Sequence, residues 1–155
     1  MAAFGGAYEH SPWAAERAYD ATLTSPCCVA PAMRAVVEAA SEDEKTDLIN
    51  AHPDLAGKLA SFGKLTQHSS EEQKGAGLDR LSPRGLKAFH KLNSAYRDKF
   101  GFPFIIAVKG LTAKDIKKAF KKRLKNSLQQ ENRAALDEIH KIAQFRIEDW
   151  FTLHG

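Results

Sequence analysis

The chain has 155 residues, 43% of them hydrophobic and 27% charged, with a formal net charge of +4. That balance fits a soluble globular protein burying one sizeable core and argues against disordered or fibrous classes. No apolar run approaches the ~18–20 residues of a membrane span, and the only cysteines, Cys27 and Cys28, are adjacent, which suits neither a disulfide framework nor a CxxC metal site.

A single domain over residues 1–155 in a reducing, cytoplasmic setting is therefore expected. No secretory signal is read at the N-terminus and no address in the C-terminal "FTLHG"; in a eukaryote a peroxisomal location would need a signal from elsewhere.

In chain order, "HSPWAAERAYDA" predicts a short helix with Ser11 as N-cap and Pro12 at the first helical position. "APAMRAVVEAA" follows, with Met33, Val36, Val37 and Ala40 on one face. "SEDEKTDLINAH" carries a capping-box pattern, Ser41 and Glu44, and is ended by Pro53. "LAGKLASFGKLT" is punctuated by glycine and predicts a connection with little regular structure. "SSEEQKGAGLDRL" starts another helix, with Ser69 as N-cap and Glu72 at N3.

"SPRGLKAFHKLNSAYRDKFG" gives the strongest pattern. Ser82 caps it, Pro83 opens it, Gly101 ends it, and Leu86, Phe89, Asn93, Tyr96 and Phe100 share a face. "FPFIIAV" is too short for an independent helix and predicts an extended, buried connector. Two more helices begin near Thr112 and near Gln130. The sum is an all-α, single-domain bundle of about seven or eight helices with a short apolar connector.

Much of the positive charge lies in "KGLTAKDIKKAFKKRLKN", which holds eight Lys or Arg and one Asp. Ile116, Ala119, Phe120 and Leu124 recur there at helical spacing, so the lysines fall on the opposite, solvated face. No aromatic residues interleave with them as a nucleic-acid stacking platform requires. A basic binding module for nucleic acid is the rival reading, and steep salt dependence would be its signature.

Three places carry candidate chemistry, each with two readings open. His52, placed before Pro53 at a helix C-terminus, either helps cap the helix or acts as an acid/base, since the dipole there favours the protonated ring. Ser69, Glu72 and Gln73 in "SSEEQ" either serve the helix start or present polar groups to an anion. Arg146 points with the apolar stripe Leu136, Ile139, Ile142, Ala143 and Trp150. It is therefore paired with a carboxylate such as Glu72, or it reaches a ligand. Walker, GxGxxG, GxSxG and HExxH motifs are absent, and the six histidines make no zinc-like set.

Taken together, "FGGAYEHSPWAAERA", "AHPDLAGK", "SSEEQKGAGLD", "YRDKFGFPFIIAVKG" and "EIHKIAQFRI" resemble the 2-oxo-4-hydroxy-4-carboxy-5-ureidoimidazoline (OHCU) decarboxylase family over essentially the whole chain. The resemblance implies decarboxylation of OHCU to (S)-allantoin, the last step of urate oxidation, without a cofactor or metal. It implies His52 as catalytic residue, and Pro53, Ser69, Glu72, Gln73 and Arg146 as substrate-binding residues. The connector residues Phe104, Ile105, Ile106 and Ala107 are expected to contact the substrate ring. A homodimer is implied, with no nucleic-acid or membrane partner. A scaffold that has lost activity is the remaining alternative, and the retention of His52, Glu72, Gln73 and Arg146 argues against it.

Overall fold

A computed structural model of the chain describes residues 2–20, 22–57 and 65–154. Among them are seven α-helices, two short 3-10 turns and no strand, as the sequence predicts. No helix among the described residues is long and apolar enough to cross a membrane. Two compact units are distinguishable: Met1–Ala51 with Leu136–Gly155, and His52–Ala135.

The first unit holds α1 (Trp13–Arg17), α2 (Pro26–Glu38), α3 (Glu42–Ala51) and most of a long final helix, α7 (Leu128–His154). α1 packs on α2. Its cap position is Pro12, with no side-chain cap, so Ser11 does not cap the helix as predicted. Ser11 is buried and offers its backbone carbonyl to the amide of Ala14 at 3.2 Å. α2 starts at Pro26, earlier than the periodicity suggested, and buries Val29, Met33 and Val37. On α7 the predicted stripe residues Leu136, Ile139, Ile142 and Ala143 are buried, together with Ile147, whereas Trp150 at the end of the predicted stripe is only half-buried.

α3 begins with the predicted capping box. The Glu44 amide donates to Ser41 Oγ at 3.2 Å and the Ser41 amide to Glu44 Oε2 at 3.1 Å. Arg17 joins from α1, its Nη2 2.6 Å from Glu44 Oε1. The Arg17 bond, then the Ser41 amide, lower the Glu44 pKa from 4.5 to about 2. A depressed carboxylate contributes stability that is complete above its unfolded pKa and lost as the pH falls through its folded one. Glu44→Gln is thus expected to lower Tm at pH 7. The difference from wild type should shrink below pH 4.5 and vanish near pH 2. A gap that stays constant across that range in thermal melts would contradict this.

The second unit contains α4 (Gln67–Gly75), a 3-10 turn at Leu78–Arg80, α5 (Pro83–Phe100), the connector, α6 (Ala113–Arg123) and the start of α7. α4 corrects the sequence. Its N-cap is Thr66, whose hydroxyl accepts from the Ser69 amide at 3.3 Å, so Ser69 is the third helical residue and not the cap. The competition is between two hydroxyls three residues apart, and the upstream one adds a turn of helix. Most of "LAGKLASFGKLT", residues 58–64, lies outside the described residues.

α5 agrees with its prediction at both ends: Ser82 accepts from the Gly85 amide at 3.0 Å, and Gly101 ends it at φ 80, a conformation that suits glycine. Its Phe89, Tyr96 and Phe100 join Phe102, Phe104 and Phe120 in an aromatic core, where Phe104 stacks on Phe120 at 3.8 Å. Residues 102–108 form neither helix nor strand and are buried except for half-buried Ile106, the extended connector expected. α6 has a full capping box, Thr112 with Asp115, and ends on Lys121, Lys122 and Arg123, which complement its dipole. Lys114, Lys118, Lys121 and Lys122 are exposed opposite buried Ile116 and Phe120, a solvated face.

Candidate functional site

His52, Pro53, Ser69, Glu72, Gln73 and the connector all belong to the second unit, and Arg146 to the first.

α3 stops at Ala51, one residue before His52, because proline at 53 disfavours helical geometry for its predecessor. His52 is nonetheless buried, at 5% exposure. A polar ring that well enclosed, at a helix end, is not simply a solvated terminus. The chain then turns sharply through Asp54, Leu55, Ala56 and Gly57. Ala56 carries φ 50, a left-handed conformation rare for a residue with a Cβ. Gly57 is required by crowding, since a Cβ there would lie 2.7 Å from Asp54 Cβ.

Such strain persists only where surroundings over-determine it, and here four side chains do so. Gln73 Oε1 accepts from the Ala56 amide at 2.9 Å. The Gln73 amide also approaches the Asp54 carbonyl at 3.4 Å. From α5, His90 Nε2–H donates to the Ala56 carbonyl at 2.9 Å and Asn93 Nδ2 to the Leu55 carbonyl at 2.8 Å. Arg97 Nε bonds both oxygens of Asp54, at 3.0 and 3.2 Å. His90, Asn93 and Arg97 stand at i, i+3 and i+7, one face of α5.

The sequence pointed to Gln73 as a pocket residue, and the structure makes it part of this clamp. Truncation to Gln73→Ala leaves a buried backbone N–H without its acceptor and is expected to cost ~1–3 kcal/mol. The check is the urea midpoint; a shift corresponding to less than about 0.5 kcal/mol would exclude the clamp role. Ser69 is buried and Glu72 half-buried on the same helix.

The connector is held by a second device that the sequence did not reveal. Glu131, fully buried on α7, accepts hydrogen bonds from Arg123 Nε at 3.0 Å, Asn126 Nδ2 at 2.8 Å and the Tyr96 hydroxyl, and forms an ion pair with Arg123 Nη2 at 2.8 Å. Burial, then the bond to Glu131, pushes the Tyr96 phenol well above its ordinary range. The Arg123 guanidinium lies 4.5 Å over the Phe104 ring, and its Nη1 donates to the Ile105 carbonyl. A buried carboxylate thereby holds, through Arg123, the Ile105 carbonyl and the Phe104 ring. The only sequence signal was an arginine among lysines, four residues beyond the apolar Ala119 on α6.

In the first unit, Arg146 is buried among the core residues of α7. Its Nη1 donates to Glu9 Oε2 at 2.8 Å and to the Gly6 carbonyl at 3.0 Å. The sequence nominated Glu72 as carboxylate partner; the structure provides Glu9, itself 1% exposed, in the unit to which Arg146 belongs. The neighbouring Tyr8 is tied down as well. Its hydroxyl hydrogen-bonds His140 Nδ1 at 2.7 Å, and His140 Nε2–H donates to Glu38 at 2.9 Å, since a carboxylate can only accept. Segment Gly6–Glu9 is thus anchored on both sides of Tyr8.

The second unit thus offers a buried imidazole beside a rigid turn, and the first unit, taken by itself, a buried guanidinium with an oriented carboxylate. Among the described residues no group of three or more His, Cys, Asp or Glu is placed to hold a metal ion.

Comparison with known proteins gives consistent neighbours. The family model described as OHCU decarboxylase matches residues 1–148. The 2-oxo-4-hydroxy-4-carboxy-5-ureidoimidazoline decarboxylase of Haloferax volcanii is 42% identical over 151 residues, covering 97% of this chain and 88% of that protein. The crystal structure of an (S)-allantoin synthase superposes with a TM-score of 0.75 at 34% identity, over 96% of this chain and 48% of that one. A crystal structure of OHCU decarboxylase in the presence of (S)-allantoin, at 22% identity, shares the fold with a TM-score of 0.78 over 97% of this chain and 98% of that one.

Proposed function

The chain belongs to the OHCU decarboxylase family, and from that premise we propose that residues 1–155 form one catalytic domain converting OHCU to (S)-allantoin and carbon dioxide. The observation that carries this reading is the buried His52 opening onto a strained turn that Gln73, His90, Asn93 and Arg97 hold in place.

Decarboxylation leaves an electron pair on carbon, and many enzymes supply a cofactor to accept it. In OHCU the carbon bearing the carboxylate adjoins a ring carbon–nitrogen double bond, so the substrate contains its own sink. As the bond to the carboxylate breaks, its electrons move into that system and a proton completes the product. The protein's tasks are to bind the anion, hold the carboxylate out of the ring plane and direct protonation to one face. Arg146 supplies the cation for substrate polar groups. His52 works as acid/base beside the departing carboxylate. Ser69, Glu72 and Gln73 orient the ring or ureido group, and the Phe104–Ala107 backbone contacts the ring, with Pro53 closing the pocket beside His52. Water-poor surroundings favour one enantiomer, because OHCU also decays unaided to racemic allantoin.

By the same resemblance the protein works as a homodimer, and its exposed, unpaired Cys27 and Cys28 suit a reducing cytoplasm. The decisive experiment generates OHCU in situ from urate with the two preceding enzymes and follows circular dichroism. Optically active allantoin, formed faster than the spontaneous reaction, is the expected result. Racemic product at the unaided rate would refute the proposal.

A further inference from the structure

One cluster of reactive side chains takes no part in the site above. α2 opens with Ser25, Pro26, Cys27 and Cys28. Ser25 holds the extended N-cap conformation, φ −144 and ψ 157, yet its side chain makes no capping bond. Its hydroxyl is directed to sulfur instead, 3.1 Å from Cys27 Sγ and donating to Cys28 Sγ at 3.2 Å. The two sulfurs are 3.8 Å apart, and both cysteines are exposed and unbridged. Serine at a helix start ordinarily satisfies a backbone amide; here that role is given up and three side-chain atoms converge.

First-turn amides and the helix dipole stabilise negative charge at this end. A disulfide does not suit the pair. Adjacent Cα atoms across a trans peptide are ~3.8 Å apart, whereas disulfides span ~4.4–6.8 Å. Chelation suits it well. Two thiolates on one tetrahedral ion, each at ~2.3 Å, stand about 3.8 Å from one another, the separation already present.

We propose that Cys27 and Cys28 form a chelating dithiolate site for a soft, thiophilic divalent cation. Thiolate ligands select such ions over magnesium or calcium. Binding is a proton exchange without electron transfer: two S–H bonds break, two sulfur–metal bonds form, and two protons are released per ion. Solvent completes the coordination sphere, and the Ser25 hydroxyl remains a hydrogen-bond donor to sulfur. Affinity therefore rises with pH through the thiol range.

The test is a titration of the reduced, full-length chain with cadmium chloride in the absence of oxygen. It is read by the ultraviolet sulfur-to-cadmium charge-transfer band and by proton release. Saturation at one ion per chain with two protons released is expected. Because the chain has only these two cysteines, Cys27→Ser and Cys28→Ser should each weaken binding at least tenfold, and the double variant should abolish the band. Both positions are exposed, and far-UV circular dichroism of the variants checks that they fold. Three results would overturn the proposal: no band in the wild type, single variants with unchanged affinity, or one ion per two chains.

Discussion

His52→Asn is expected to lower the turnover of freshly made OHCU by ~10²–10⁴-fold, the span general acid–base catalysis contributes. Asparagine is close in size and retains hydrogen-bonding capacity, so the buried position is neither emptied nor stripped of polarity. It cannot exchange a proton near neutral pH. The loss should therefore fall on kcat, with KM changed much less, the pattern of an interaction made in the transition state. The turn after His52 is held by side chains from α4 and α5, so the substitution leaves the scaffold intact. An unchanged urea midpoint would verify this. Turnover within a few-fold of wild type would remove His52 from the mechanism.

Glu131→Ala is expected to destabilise the protein by ~3–5 kcal/mol, the cost of removing one member of a buried ion pair. Arg123 would lose its carboxylate, and Tyr96 and Asn126 would lose their acceptor. Glu131→Gln should fall between wild type and alanine, because the amide oxygen still accepts but the charge is gone. The measurement is the urea midpoint at constant slope; a loss below about 1 kcal/mol would show the network to be dispensable. A functional consequence accompanies it. Arg123 also holds the Ile105 carbonyl and covers Phe104, so KM for OHCU should rise in Glu131→Gln even where the protein is fully folded.

Much of the second unit was legible because its signals are local. The Ser82 cap, Pro83 and Gly101 bracket α5, and Phe89, Asn93, Tyr96 and Phe100 are buried along it. Each is a relation between residues within a turn or two. The start of α4 was misplaced because Thr66 and Ser69 are both competent caps, and nothing local prefers one. Glu9 as the partner of Arg146 could not be read at all, since 137 positions separate the two. Periodicity could say that Arg146 pointed inward and needed a partner, but not which carboxylate the fold would bring.

The sequence alone determined the helical class, the buried connector, the family, and an ordered set of candidates headed by His52. These follow from patterns of period 3.6, from caps and from blocks of residues close along the chain. Only the tertiary structure decided what holds those candidates. His90, Asn93 and Arg97 on one face of α5 grip the turn after His52, and Glu131 grips the connector through Arg123. A polar side chain's role depends on which distant group satisfies it, and a buried donor must find an acceptor wherever the chain happens to return.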